Sequence, residues 1–231
     1  GDGHPADAGQ AKVIGIDGKK HYAWHEGQDM ARHHQKVVDA AAKRQIAVNP
    51  HEPIKDTGLR RTYPNWVTRE GARGMEFSAW GQPGNPPEHE ANLAFTRLLA
   101  GPMDYTPGIF GMKTRAPDGV ATTWAKQLAL YVTIYSPLQM AADLLDNYEA
   151  NPKPFKFIED VPVDWEDTRV LNGEVGDFVT IVRKDRHSDN WYLGAITDEE
   201  ARELSAPLSF LDPGRTYTAQ IYRDGDKAHW K

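Results

Sequence analysis

The sequence predicts an α/β chain. A helix-and-strand half over residues 1–150, of the kind that builds parallel sheets and barrels, precedes an antiparallel β half over residues 151–231. Three observations predict this. Residues 28–44 place Met30, His34, Val37, Val38 and Ala41 on one helical face and run almost without a loop into the apolar stretch Gln45-Ile46-Ala47-Val48, which reads as a buried strand. Asn151-Pro152-Lys153-Pro154 reads as a linker-like boundary. Beyond it, strand-like runs at 168–172, 178–182, 191–196, 204–210 and 216–222 are separated by Gly, Asp, Asn and Pro, the pattern of an antiparallel sheet or sandwich.

In chain order, residues 1–27 read as a long loop with a weak strand at 13–16 and a turn at Asp17-Gly18; His21, Trp24, His25 and Glu26 are polar or anchoring loop residues that could reach a sugar or a metal. Residues 53–66 are loop-like, punctuated by Pro53, Gly58 and Pro64. Residues 88–99 read as a helix with Leu93, Leu98 and Leu99 inward, and 103–108 as a short strand carrying Asp104 and Tyr105 to a rim. Trp124, Leu128, Tyr131, Val132 and Tyr135 repeat at helical spacing and mark a core helix that Pro137 ends or bends, with a helical continuation over 138–148 through Met140, Leu144 and Leu145. Runs 178–182 and 191–196 form a hairpin across RKDRHSDN, and Thr197 to Glu200 has capping-box spacing for one helical turn.

Composition excludes several classes. With 39% hydrophobic residues the chain can build packed cores, and its longest apolar run is far short of a membrane span. A net charge of −6 with one small basic pair, Arg60-Arg61, argues against nucleic acid. The absence of cysteine excludes disulfides, thiolate nucleophiles and Cys-ligated metals, and leaves hard cations such as calcium or magnesium open.

The chemistry-bearing stretch is 49–77, NPHEPIKDTGLRRTYPNWVTREGARGMEF. Asn49, His51 and Glu52 follow the strand end, and Glu70 and Glu76 come later with Arg and aromatic residues between. Three carboxylates and an imidazole suit general acid–base work on a sugar, a hard-ligand metal site, or both. Glu70 and Glu76, six apart, fall on different sides of a regular helix, so a shared site requires a break, which Gly71 and Gly74 permit. The spacing equally allows Glu70 and Arg73 to be a surface pair.

The segments NPHEPIKDTGLRRTYPN, TREGARGMEF, PPEHEANLAFTRLLAGPMDYTPGIF, QLALYVTIYSPLQMAAD and GDFVTIVRKDRHSDNWYLGAITDEEAREL resemble glycoside hydrolase family 97. The resemblance implies the C-terminal half of a (β/α)8 TIM barrel over 1–150 and a C-terminal β-sandwich over 151–231, with the family's N-terminal β-sandwich and early barrel strands absent from this chain. It implies an exo-acting bacterial α-glycosidase, periplasmic or extracellular, that uses calcium and takes an oligosaccharide or α-glucoside substrate. By motif, Glu76 matches the general acid and Glu52 a calcium-binding glutamate that orients or deprotonates water. Glu70 matches a calcium ligand, Glu76 lies in the same coordination sphere, and His51 matches a substrate-contacting histidine. The inverting α-glucosidase branch carries a glutamate after the histidine where the retaining α-galactosidase branch carries glycine; by Glu52 this chain resembles the former. The retaining branch and a non-catalytic carbohydrate-binding relative are the alternatives, and the isolated 231-residue chain is expected to be inactive.

Overall fold

The computed structural model describes residues 10–14, 18–111 and 119–228. The chain forms two compact units, Gly1–Ala72 and Arg73–Lys231.

In the first unit, β1 (Gln10–Ile14) pairs antiparallel with β2 (Lys20–Trp24), so within the segment expected as a long loop two stretches are paired strands; Gly15, Ile16 and Asp17 of the expected weak strand and turn lie outside the described residues. Helix α1 (Gln28–Ala42) follows as expected and buries Val38, although Val37 on the expected inner face is exposed. The strand expected at 45–48 is largely consumed by the end of α1. Gln45 is left-handed (φ 56°) and the Ile46 N–H donates back to the Ala41 carbonyl, an arrangement that closes a helix. What remains is one parallel bridge, Val48 to Trp66, extended by Glu70 N–H donating to Pro50 O at 3.1 Å. Between the two paired segments lies a single helical turn, α2 (Leu59–Thr62).

Trp66 is the centre of this unit. Its ring is buried with Val38 and Ile54, the His34 imidazole stacks against it, and the Arg69 guanidinium lies 4.0 Å from its ring centroid. Burial lowers the His34 pKa, with neighbouring His33, His25 and Arg69 acting in the same direction against a Met30 carbonyl contact that raises it.

In the second unit, a 3₁₀ turn (Met75–Ala79) precedes α3 (Pro87–Leu93). The helix expected to reach residue 99 stops early: the Thr96 hydroxyl bonds back to Asn92 O, and a separate 3₁₀ turn (Arg97–Ala100) leaves Leu99 80% exposed instead of inward. The core helix is α4 (Trp124–Thr133), capped by the Thr123 side chain accepting from Lys126 N–H, with Leu128, Tyr131 and Val132 buried. No helix continues over 138–144. The Ser136 hydroxyl donates to Leu138 O, Met140 and Leu144 are exposed, and helix resumes only at α5 (Leu145–Ala150). The prolines read as a linker instead open α6 (Pro152–Asp160), where a missing N–H costs nothing in the first turn.

The β half is a three-stranded antiparallel meander, β3 (Trp165–Glu174), β4 (Phe178–Asp185) and β5 (Trp191–Thr197), in the order β3-β4-β5. The expected hairpin is β4–β5. Among the described residues there is no strand at 204–210 or 216–222, the runs expected to extend the sheet or sandwich. Phe210 instead packs its ring on Trp191, and Asp198 forms a local turn with Glu200 N–H in place of a helix start. Helix α4 lies close on β5 at Gly194, where a Cβ would sit 2.8 Å from the Val132 Cβ.

Segment 103–110 is largely buried yet forms no helix or strand, so its backbone is paired group by group, in part by side chains. Gln127 Oε1, fully buried, accepts from Gly108 and Ile109 N–H at 2.8 and 3.1 Å. Asp143 Oδ2 accepts from Phe110 and Gly111 N–H, while the Tyr131 and Tyr148 hydroxyls donate to Pro107 and Gly108 carbonyls. Gly108 is left-handed (φ 104°), and a Cβ there would meet the Tyr131 hydroxyl at 2.6 Å.

Two outcomes follow for stability. Gln127→Leu leaves two buried N–H groups without their acceptor and should lower unfolding free energy by about 2–4 kcal/mol in urea titrations; a loss below about 0.5 contradicts this assignment. Because the folded-state pKa of His34 lies below its unfolded value of 6.5, its contribution is complete above that pH and is lost as pH falls through the folded value. The stability gap between pH 7.5 and acid should narrow in His34→Gln.

Candidate active-site segments

In the first unit the parallel pairing of Val48 with Trp66 sets two extended segments side by side and in register, so that residues 49–52 and 67–70 leave the pairing at the same end. Glu52 and Glu70, eighteen residues apart in sequence, are thereby brought together: the Glu52 backbone N–H donates to Glu70 Oε2 at 3.0 Å. Glu70 is buried, which rules out the surface-pair reading, whereas Glu52 is exposed and His51 half-buried. Next to Glu70, Arg69 is buried too and is held by Ile54 O at 3.0 Å and by Asp56, whose carboxylate also receives Arg60 and Gly58 N–H. Glu26, one of the loop residues considered for ligand contact, instead accepts from Lys55 N–H and ties the N-terminal segment to the loop. Trp24 is exposed; the side chain of His21 lies outside the described residues.

Glu52 has φ +43°, in the left-handed region. For a residue with a Cβ that conformation costs roughly 1–2 kcal/mol, and it persists only where surrounding contacts impose it. Here the Glu70 carboxylate on the Glu52 N–H is one such contact.

In the second unit Glu76 is half-buried on the 3₁₀ turn Met75–Ala79, so the chain between it and Glu70 is not one regular helix. The turn is built on Gly74 and fastened at both ends. Met75 N–H donates to Tyr105 O at 2.8 Å, Asn85 Nδ2 donates to Gly74 O at 2.7 Å, and Ser78 Oγ accepts from Asn85 N–H at 3.1 Å. Phe77 is pinned by the Arg73 guanidinium at 4.9 Å and by Gly81, where a Cβ would strike the ring at 2.4 Å. Asp104 and Tyr105, expected at a rim, are both buried. Tyr105 donates its hydroxyl to Glu90 Oε1 at 2.8 Å, and burial together with Glu90 raises its pKa well above the usual value, keeping it a donor. Asn85, Glu90 and Lys126 escape sequence reasoning. The available signal is Glu90, three positions before buried Leu93 and so on the inward face of α3.

Paired carboxylates are the groups with which glycosidases do acid–base chemistry, and the motif stretch supplies Glu52, Glu70 and Glu76. A family model described as glycoside hydrolase 97 matches residues 8–72, and one described as glycosyl-hydrolase 97 C-terminal, oligomerisation, matches residues 164–231. The chain belongs to glycoside hydrolase family 97. It is similar to a retaining alpha-galactosidase of Bacteroides thetaiotaomicron, 33% identical over a 226-residue alignment that covers 94% of this chain and 34% of that one. It also matches two structures of a family 97 enzyme from Pseudoalteromonas sp. strain K8, a variant with panose and an enzyme with acarbose. Each has 56% identity and a TM-score of 0.89, covering 96% of this chain and 35% of the other. The chain thus spans about a third of the length of the relatives it matches.

The strain at position 52 can be tested by stability alone. Glu52→Gly should be more stable than Glu52→Ala by about 1 kcal/mol, because only glycine occupies φ +43° without penalty. Equal stabilities, or a more stable alanine variant, would show that the position is not strained.

Proposed function

We propose that this chain carries the acid-bearing part of a calcium-dependent, exo-acting α-glucosidase that hydrolyses α-glucosides with inversion. The observation that carries the reading is Glu52: a glutamate stands in a left-handed conformation where glycine would be relaxed, with its N–H on the Glu70 carboxylate. A glutamate at this position is the mark of the inverting branch in the family resemblance. A strained side chain is kept where its chemistry is used. Support also comes from the 56% identity to an enzyme whose structures hold panose and acarbose.

In this reading Glu76 donates its proton to the departing glycosidic oxygen, while Glu52 orients and deprotonates the attacking water and His51 contacts the substrate. The carboxylates of Glu52, Glu70 and Glu76 would hold calcium; their hard oxygen donors fit that ion, though six carboxylate oxygens at most leave room for ligands from elsewhere. When bound there, calcium would supply positive charge for acid–base chemistry at a water or a sugar oxygen. Residues 1–150 are assigned to the catalytic barrel and 151–231 to the C-terminal β domain, in a protein of the periplasm or cell exterior. Among the described residues no helix is long and apolar enough to cross a membrane.

The curated relative's name favours a second reading, a retaining α-galactosidase. Proton NMR of the first product released by the complete enzyme separates the two. β-Glucose from an α-glucoside supports inversion, whereas α-galactose from an α-galactoside, with no glucosidase turnover, supports the second reading. Glu76→Gln should lower kcat on an oligosaccharide by about 10²–10⁴-fold, and chelation should remove activity that calcium restores.

A further inference from the structure

We propose that Asn85 and Tyr105 are positioning residues for Glu76, and that the ion pair between buried Glu90 and half-buried Lys126 is the anchor from which they work. This rests on the reading of Glu76 as general acid.

The turn bearing Glu76 is too short to hold itself. Five residues of 3₁₀ helix make few internal bonds, and the geometry of such a turn is poor. Its external bonds converge on one buried cluster. Asn85 holds the turn twice, by its side-chain amide on Gly74 O and by its backbone N–H on Ser78 Oγ. The same amide reaches the Tyr105 hydroxyl at 3.4 Å, and that hydroxyl donates to Glu90 Oε1. Glu90 Oε2 lies 2.9 Å from Lys126 Nζ, whose remaining hydrogens go to Pro87 O and Thr197 O, both at 3.1 Å. An unbroken path thus runs from the end of β5 through Lys126, Glu90, Tyr105 and Asn85 to the residue two before Glu76.

Stability does not explain this cluster. A buried ion pair roughly breaks even against well-packed apolar residues, and Asn85 Oδ1 is buried with no hydrogen-bond partner, a further cost. What the cluster supplies is geometry: the turn as observed presents Gly74 O and Ser78 Oγ to Asn85 at once, while Tyr105 and Glu90 fix the Asn85 side chain from behind. A general acid gains from such fixing, since displacement by about 1 Å can cost about 100-fold in rate.

The test exploits the dependence of acid catalysis on the leaving group. In the complete enzyme, kcat/KM is measured for Tyr105→Phe, Asn85→Ala and Glu76→Gln on an α-linked glucose disaccharide and on a dinitrophenyl α-glucoside, whose phenolate departs without protonation. Tyr105→Phe and Asn85→Ala should lose about 10- to 100-fold on the disaccharide, mainly in kcat, and less than about 3-fold on the activated substrate. Equal losses on both substrates, or a loss on neither, would overturn the positioning role while the contrast in Glu76→Gln still stands. If Glu76→Gln itself shows no contrast, the acid assignment fails and takes this inference with it. Tyr105→Phe removes only one oxygen, so it remains informative should Asn85→Ala fold poorly.

Discussion

Buried backbone that forms neither helix nor ladder must still pair its N–H and C=O groups, and this requirement governs both units. The candidate catalytic residues sit on or beside such backbone. Glu70 accepts from the Glu52 N–H, Asn85 bridges the turn of Glu76, and Gln127 and Asp143 saturate the chain from Gly108 to Gly111. Regular structure supplies walls, and polar side chains supply the fixtures. At Asn85 and Gln127 the loss of the side chain strands buried donors or acceptors, so these segments are held by specific bonds as a strand is.

Two residues with a Cβ show what that definition imposes. Glu52 and Thr106 are both left-handed, at φ 43° and 58°, and Thr106 is β-branched, for which this region is least accessible. Thr106 follows buried Tyr105 and precedes the segment that Gln127 and Asp143 hold, and its hydroxyl donates to Tyr105 O. Strain at both places is sustained by neighbouring bonds that over-determine the path of the chain. Glu52 lies within the motif assigned to water activation, and Thr106 continues the chain from the residue that anchors the turn of Glu76.

Periodic elements were legible in the sequence because burial there is written as repetition: α1, α4 and the β4–β5 hairpin follow from apolar spacing alone. The errors lie where a polar group competes with the pattern. Residues 45–48 look like a strand, but the helix end claims Gln45 and Ile46. Leu99 and Leu144 look like parts of continuous helices, but the Thr96 hydroxyl bonding back to Asn92 O and the Ser136 hydroxyl bonding forward to Leu138 O mark breaks in the α-helical register before them, and both are exposed. Prolines at 152 and 154 look like a linker, although a first helical turn accepts them. The candidate site was legible as a motif, in His51, Glu52, Glu70 and Glu76. Its supports were not, since the bonds of Asn85, Glu90 and Lys126 depend on partners up to 71 residues away.

The claim that side-chain bonds lock these irregular segments is tested most directly by hydrogen exchange, read amide by amide in the folded protein. The account predicts that the N–H groups of Glu52, Met75, Gly108 and Ile109 exchange as slowly as those of β4, although none lies in a strand or an α-helix. Exchange at the rate of the exposed 212–216 loop would contradict it.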